Sequence, residues 1–273
     1  MHSNRTVRRR LPRLFLASAL LTACASGPQH AARRDLRLDS ETAARLRHAA
    51  VVGEGAGSLA PVTTQVVASQ LVRLAPLLLT VLKSDDAVSD LEERLEECAR
   101  RAEREVNTSL FGNRSPTRAE CGEEVDVDGC GGRITRAMLL GQLKHALALP
   151  CARAVLEQLW PAPFSIEQRY RYYPNAEFIE TVSPEEEKRL IDEGCTQALW
   201  RTLKPDIVLH ADSNRLRSVL TLDFKFPCPD TNKAKWKEYG EDSAYDGSNQ
   251  GRIYKRALGG EVVLISPRAG VTQ

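Results

Sequence analysis

The apolar positions change their spacing several times along this 273-residue chain, and each change marks an element. Leu71, Val72, Leu74, Leu77, Leu78, Leu79, Val81 and Leu82 crowd the end of residues 59–82, with Pro76 as a break. That run predicts a pair of buried helices, with a membrane-active delivery segment as the alternative. Residues 85–105 are highly charged, and Leu91, Leu95 and Cys98 fall at helical spacing, which predicts a solvated helix. A stretch rich in Gly, Asp, Pro and Ser follows from Asn107 to Arg133 and sets a domain boundary near residue 106. Met138, Leu139, Leu143, Ala146, Leu147, Val155, Leu156 and Leu159 give residues 134–159 a helical core face, with Pro150 as a kink or break. The aromatics between 164 and 182 alternate as in strands. Ser183-Pro184-Glu185-Glu186 then opens a helix expected to run to about Leu203, with Ser at the cap, Pro in the first turn and acids behind it.

The last third of the chain carries the sharpest pattern. Ile207 to Ala211 is a short β-type run, Asp212-Ser213-Asn214-Arg215 is turn chemistry, and Ser218 to Phe226 is a second strand. Alternation puts Leu220, Leu222, Phe224 and Phe226 on a core face and Val219, Thr221, Asp223 and Lys225 on the opposite one. A two-residue turn at Ser213-Asn214 would set Asp206 opposite Thr221 and diagonal to Asp223, on the same face. Gln250 and Tyr254 lie one helical turn apart, Gly259-Gly260 ends that helix, and Val262 to Ile265 reads as the next strand.

Charge and cysteine content refine this outline. Residues 1–23 hold five arginines and no acid, so the net charge of +2 becomes 33 basic against 36 acidic residues without them. No large basic field marks the chain as a stoichiometric nucleic-acid binder, but a hydrolase needs only a local basic cleft and a metal. The basic start, a short apolar run from Leu14 to Leu21 and the sequence Leu21-Thr22-Ala23-Cys24 read as a cleaved leader, too short to span a bilayer as a mature helix. Leu-Thr-Ala-Cys resembles the bacterial lipobox, which implies lipid on Cys24. Ala25 in place of Asp points to the outer membrane. Six cysteines then remain in an oxidising compartment. Cys121 and Cys130 bracket one loop and are the expected pair, the other pairings staying open. No Cys-x-x-Cys spacing supports a zinc site.

Two carboxylates as close as Asp206 and Asp223 would repel unless a cation neutralised them. Hard oxygen donors suit Mg²⁺ or Mn²⁺, which polarises a phosphate and activates water. Lys225 beside them could orient that water and stabilise charge building on phosphorus.

Pro205-Asp206 followed by Asp223-x-Lys225 resembles the PD-(D/E)xK phosphodiesterase superfamily. The likeness covers residues 134–266 and implies an α/β (α+β) chain with a restriction-endonuclease-like mixed central sheet flanked by helices, preceded by a helical N-terminal region. It also implies metal on Asp206, Asp223 and the Phe224 backbone carbonyl, with Lys225 catalytic. Gln250-x-x-x-Tyr254 is similar to the substrate-side element of the RecB-like and virus-type branches, and Gly141-x-x-x-His145 to their helix whose histidine can ligate metal. If His145 is not a ligand, Glu185, Glu186, Glu187 or Glu193 could supply the missing oxygen.

The order of parts (leader 1–23, tether and helical delivery region 24–105, nuclease-like region 106–273) resembles lipoprotein toxins exchanged between the outer membranes of swarming bacteria. That likeness implies a metal-dependent nuclease toxin, with DNA ahead of RNA as substrate. It would be anchored through Cys24, act in the recipient cytoplasm and be neutralised by a cognate immunity protein. The alternative is a non-catalytic outer-membrane lipoprotein whose nuclease-like fold binds or builds. Residues 233–246, with Trp236, Tyr239 and Tyr245, are a candidate contact for substrate or inhibitor, or a surface loop with packed aromatics.

Overall fold

The computed structural model describes residues 69–273 except 130, 195–198, 200 and 242. The leader, Cys24, the tether and residues 59–68 therefore lie outside the described residues, as do Cys130 and Cys195. In chain order the helices are α1 (Gln70–Leu74), α2 (Leu78–Leu82), α3 (Asp85–Phe111), α4 (Arg118–Gly122), α5 (Arg136–Leu159), α6 (Pro184–Glu193) and α7 (Gln250–Leu258). The strands are β1 (Glu124–Val127), β2 (Arg133–Thr135), β3 (Phe164–Ile166), β4 (Tyr170–Tyr173), β5 (Phe178–Thr181), β6 (Thr202–Leu203), β7 (Ile207–Leu209), β8 (Leu220–Phe224), β9 (Glu261–Ser266) and β10 (Gly270–Thr272). None of the described helices is long and apolar enough to cross a membrane.

The chain is mixed α/β. A five-stranded sheet runs β10-β9-β8-β7-β3, a three-stranded antiparallel sheet runs β5-β4-β6, and β1 pairs with β2. All pairings in the five-stranded sheet are antiparallel except β8–β9, which are parallel and joined through α7. A parallel pair needs such a crossover, and Gly259 and Gly260 end its helix at φ of 71° and 64°. A Cβ on Gly260 would stand 2.5 Å from the Ser218 carbonyl oxygen, so the return to β9 passes too close to β8 for any side chain.

One face of this sheet buries Ile207, Leu209, Leu220, Leu222, Phe224, Val263 and Ile265 against α1, α2, α3 and α5. The other packs Val208 against Ile253, Tyr254 and Leu258 of α7 and against Tyr170, Tyr172 and Leu203 of the small sheet. The face that carries Thr221 and Asp223 is thus covered as well: Thr221 is fully buried and Asp223 nearly so.

Helix α3 departs most from the sequence expectation. Its charged composition hides a buried stripe of Val88, Leu91, Leu95, Cys98, Ala99, Ala102 and Val106 that packs on α5 and the sheet. It runs unbroken through residue 106, where a domain boundary was expected, and the same core holds residues from both sides of that position. All described residues belong to one compact unit. Other elements differ less. Pro150 sits inside an uninterrupted α5. Helix α6 starts at the expected Ser183 cap, whose side chain accepts from the Glu186 amide, but ends at Glu193. The bridges are Cys98–Cys151, between α3 and α5, and Cys121–Cys228, between α4 and the segment after β8. The expected Cys121–Cys130 pairing is therefore wrong: nearness in sequence counted for less than the packing that brings Pro227-Cys228 onto α4.

Candidate functional site

The β7–β8 register is offset by two residues from the sequence expectation. Ile207 pairs with Leu222 and Leu209 with Leu220, so Asp206 comes opposite Asp223 rather than Thr221. A slip of two preserves which face each side chain occupies, so the two acids stay together. The Asp206 amide donates to Asp223 Oδ1 at 3.1 Å, and the Phe224 amide donates to Asp206 Oδ2 at 2.7 Å.

From this pair a connected network runs in both directions. Lys225 Nζ donates to Asp223 Oδ2 at 2.7 Å and to Gln250 Oε1 at 2.9 Å, and Gln250 Nε2 contacts the Tyr254 hydroxyl at 2.7 Å. On the other side His145 Nε2 lies 3.0 Å from both Asp206 Oδ2 and the Phe224 carbonyl oxygen. The structure therefore joins His145, Asp206, Asp223, Phe224, Lys225, Gln250 and Tyr254 in one cluster. Glu185, Glu186, Glu187 and Glu193 stand apart from it on α6. Glu186 pairs with Arg171, Glu187 with Arg169 and Lys204, and Glu193 with Arg189.

The electrostatics follow from burial and crowding. Burial pushes the Asp223 carboxyl up to about 6, with the Asp206 charge adding to the effect and Lys225 opposing it. Burial works against a charge on His145, but the Asp206 carboxylate, the hydrogen bond to Gly141 and the Asp223 charge together lift the imidazole to about 9. Burial and then the Asp223 charge hold the Tyr254 phenol well above its ordinary value.

The donor set around His145 fits a divalent cation. His145 Nδ1 donates to the Gly141 carbonyl at 2.8 Å, which leaves Nε2 as the lone-pair nitrogen of a neutral ring. That nitrogen faces two oxygen acceptors, so in the absence of an ion a proton must occupy the position. An octahedral Mg²⁺ with ligands at about 2.0–2.1 Å sets neighbouring donors roughly 3 Å apart, as Nε2 stands from each oxygen here. Among the described residues no three His, Cys, Asp or Glu side chains form a ready metal group. The reason is local: Asp223 turns its oxygens to the Asp206 amide and to Lys225, and the third converging donor is a backbone carbonyl.

Two features beside the cluster go beyond what the sequence specifies. Trp236 lies with its ring centroid 5.7 Å from Lys225 Nζ and edge-on to Tyr254 at 6.1 Å. Gly251 admits it, since a Cβ there would be 2.6 Å from the indole. The second feature is a fully buried Lys144, next to His145, paired with Glu103 of α3 at 2.7 Å. The aromatic content of residues 233–246 was the only hint of the first, and nothing local signals the second. Tyr245 is structural: it is buried and its hydroxyl donates to the Arg201 carbonyl at 2.9 Å. A cavity of about 700 Å³ between α3 and the β9–β10 turn shares no residue with the cluster.

No family model, curated protein or solved structure matches this chain.

Proposed function

We propose that this chain is a divalent-metal-dependent nuclease with a restriction-endonuclease-like core. The observation that carries the reading is the single network from His145 through Asp206, Asp223 and Lys225 to Gln250 and Tyr254. The antiparallel β7–β8 hairpin, the α7 crossover and the parallel β9 support the resemblance in topology.

Asp206, the Phe224 carbonyl and His145 would hold Mg²⁺ or Mn²⁺, with Asp223 as the second carboxylate of the set. The bound ion would supply Lewis acidity toward the phosphate and a lowered pKa for attacking water. Asp223 holds the Lys225 ammonium beside the acids, where it can place a water and meet charge developing on phosphorus. Gln250 fixes the ammonium from the opposite side and is itself held by Tyr254, so the α7 face carries the substrate-side contacts.

The export reading belongs to the same proposal. Lipid on Cys24, outer-membrane location, action on DNA ahead of RNA in a recipient cytoplasm, and an immunity partner together describe a toxin. A second reading, a non-catalytic lipoprotein, draws on the fact that Asp223 is satisfied within the protein by Lys225 and the Asp206 amide.

One experiment separates the two. The intact chain and its Lys225→Ala variant are incubated with plasmid DNA, heat-denatured plasmid DNA and total RNA, with Mg²⁺ or with EDTA. The nuclease reading expects degradation only by the wild type with metal. A folded wild type that leaves all three polymers intact with Mg²⁺ and Mn²⁺ removes the catalytic reading. The intact chain is needed because α1–α3 share the core of the sheet.

A further inference from the structure

A groove of about 480 Å³ opens directly beside the network, and Gln250 and Tyr254 belong to both. Its other walls include Arg169 and Lys204 at the small sheet and Lys237 and Tyr239 in the segment before α7. That segment is pinned in place. Glu238 bridges Asn249, the Tyr239 amide donates to the Ser248 carbonyl at 2.9 Å, and the Gln250 amide donates to the Lys237 carbonyl at 2.8 Å. Tyr239 is half-buried and its ring stands edge-on to Tyr245 at 5.3 Å. Arg169 and Lys204 both reach Glu187, at 3.2 and 3.1 Å, while Lys237 is exposed on the rim.

Size and chemistry limit what fits. The volume lies within the range of about 300–1,000 Å³ typical of small-molecule sites. A base still paired and stacked in a duplex cannot enter such a pocket, so a base that reaches it must be unpaired. Glu238 and Glu241 share the rim with the cations, so the groove is not a uniformly basic track for a long polyanion. An aromatic ring with mixed donors and acceptors suits a base, whose edge offers both, and the exposed Lys237 suits its phosphate.

We propose that this groove seats one unpaired nucleotide next to the scissile phosphate, with Tyr239 against the base and Lys237 toward the phosphate. The substrate class is then single-stranded nucleic acid. The inference rests on the nuclease reading above and narrows it.

The test uses the intact chain with Mg²⁺ or Mn²⁺, matched single-stranded and duplex oligonucleotides, and bis(4-nitrophenyl) phosphate, which has no base. The single strand is expected to be cut with kcat/KM at least about tenfold above the duplex. Tyr239→Ala should raise KM for the single strand by about tenfold and lower the oligonucleotide-to-diester ratio of kcat/KM. Tyr239→Phe, which keeps the ring, should restore both. Lys237→Ala, at an exposed position, should weaken single-strand binding and reduce its log–log salt slope by about 0.7. Cleavage of duplex as well as or better than single strand overturns the subsite. So does a wild-type ratio in both alanine variants. In either case metal-dependent cleavage of any of these substrates leaves the nuclease reading standing. If neither oligonucleotide nor the small diester is hydrolysed, the reading and the subsite fall together.

Discussion

Breaking the Glu103–Lys144 pair should destabilise the protein far more than deleting it whole. Lys144 is fully buried on α5, its ammonium bonds Glu103 Oε1 at 2.7 Å, and the same oxygen accepts from Asn107 Nδ2 at 2.8 Å. Glu103→Leu leaves the ammonium in the core without a carboxylate, its nearest remaining π-face being Phe226 at 6.0 Å. Removing one partner of such a pair costs about 3–5 kcal/mol. The orphaned Asn107 amide adds about 1–2 kcal/mol. Lys144→Met in the same background removes the buried charge, so the double variant should recover all but the Asn107 contribution. The coupling between the two sites should then be at least about 3–5 kcal/mol. Urea denaturation of the oxidised protein, followed by circular dichroism, measures all four corners of the cycle. The pair also ties α3 to the helix that carries His145, one residue away. The metal concentration for half-maximal activity should therefore rise in Glu103→Leu and return toward wild type in the double variant. A loss below about 1 kcal/mol in Glu103→Leu, or simple additivity of the two changes, would refute the reasoning.

Three further outcomes are expected. His145→Ala should raise the Mg²⁺ or Mn²⁺ concentration for half-maximal nuclease activity by roughly tenfold or more, and an unchanged metal titration would remove His145 from the ligand set. His210 is buried, donates from Nδ1 to the Arg217 carbonyl at 2.6 Å and faces Ser165 Oγ at 3.0 Å, and burial holds its pKa below the ordinary 6.5. The unfolded chain therefore takes up that proton first, so this contribution is present above pH 6.5 and is lost as the pH falls toward the folded-state value. Stability should drop between pH 7 and 5 more steeply in wild type than in His210→Gln, and equal slopes would contradict the assignment. Gly251→Ala puts a Cβ 2.6 Å from the Trp236 indole, so overpacking of about 1–3 kcal/mol is expected. It should come with altered tryptophan fluorescence and reduced activity through Lys225, whereas a variant with wild-type emission and rate would show that the indole contact is unimportant.

Much of the local arrangement was readable in the chain because it depends on short-range periodicity. Alternation along residues 219–225 places Asp223 and Lys225 on one side of a strand, and the i, i+4 spacing of Gln250 and Tyr254 places both on one helix face. Even the misjudged turn did no harm to the cluster, since a slip of two residues keeps the parity of every side chain. Caps such as Ser183 are similarly local: a side chain and an amide three residues on need no distant partner. What tertiary structure alone decided involves groups far apart in sequence. Cys121 meets Cys228 across 107 residues, a pairing that no spacing rule selects. The charged helix α3 turned out to be a wall of the core, because only seven small or apolar positions of its 27 residues face inward and their value depends on what lies opposite. Nor could the sequence orient the His145 ring. That required α5 to pack so that one nitrogen reaches its own helix at Gly141 while the other reaches two oxygens, one just before β7 and one at the end of β8.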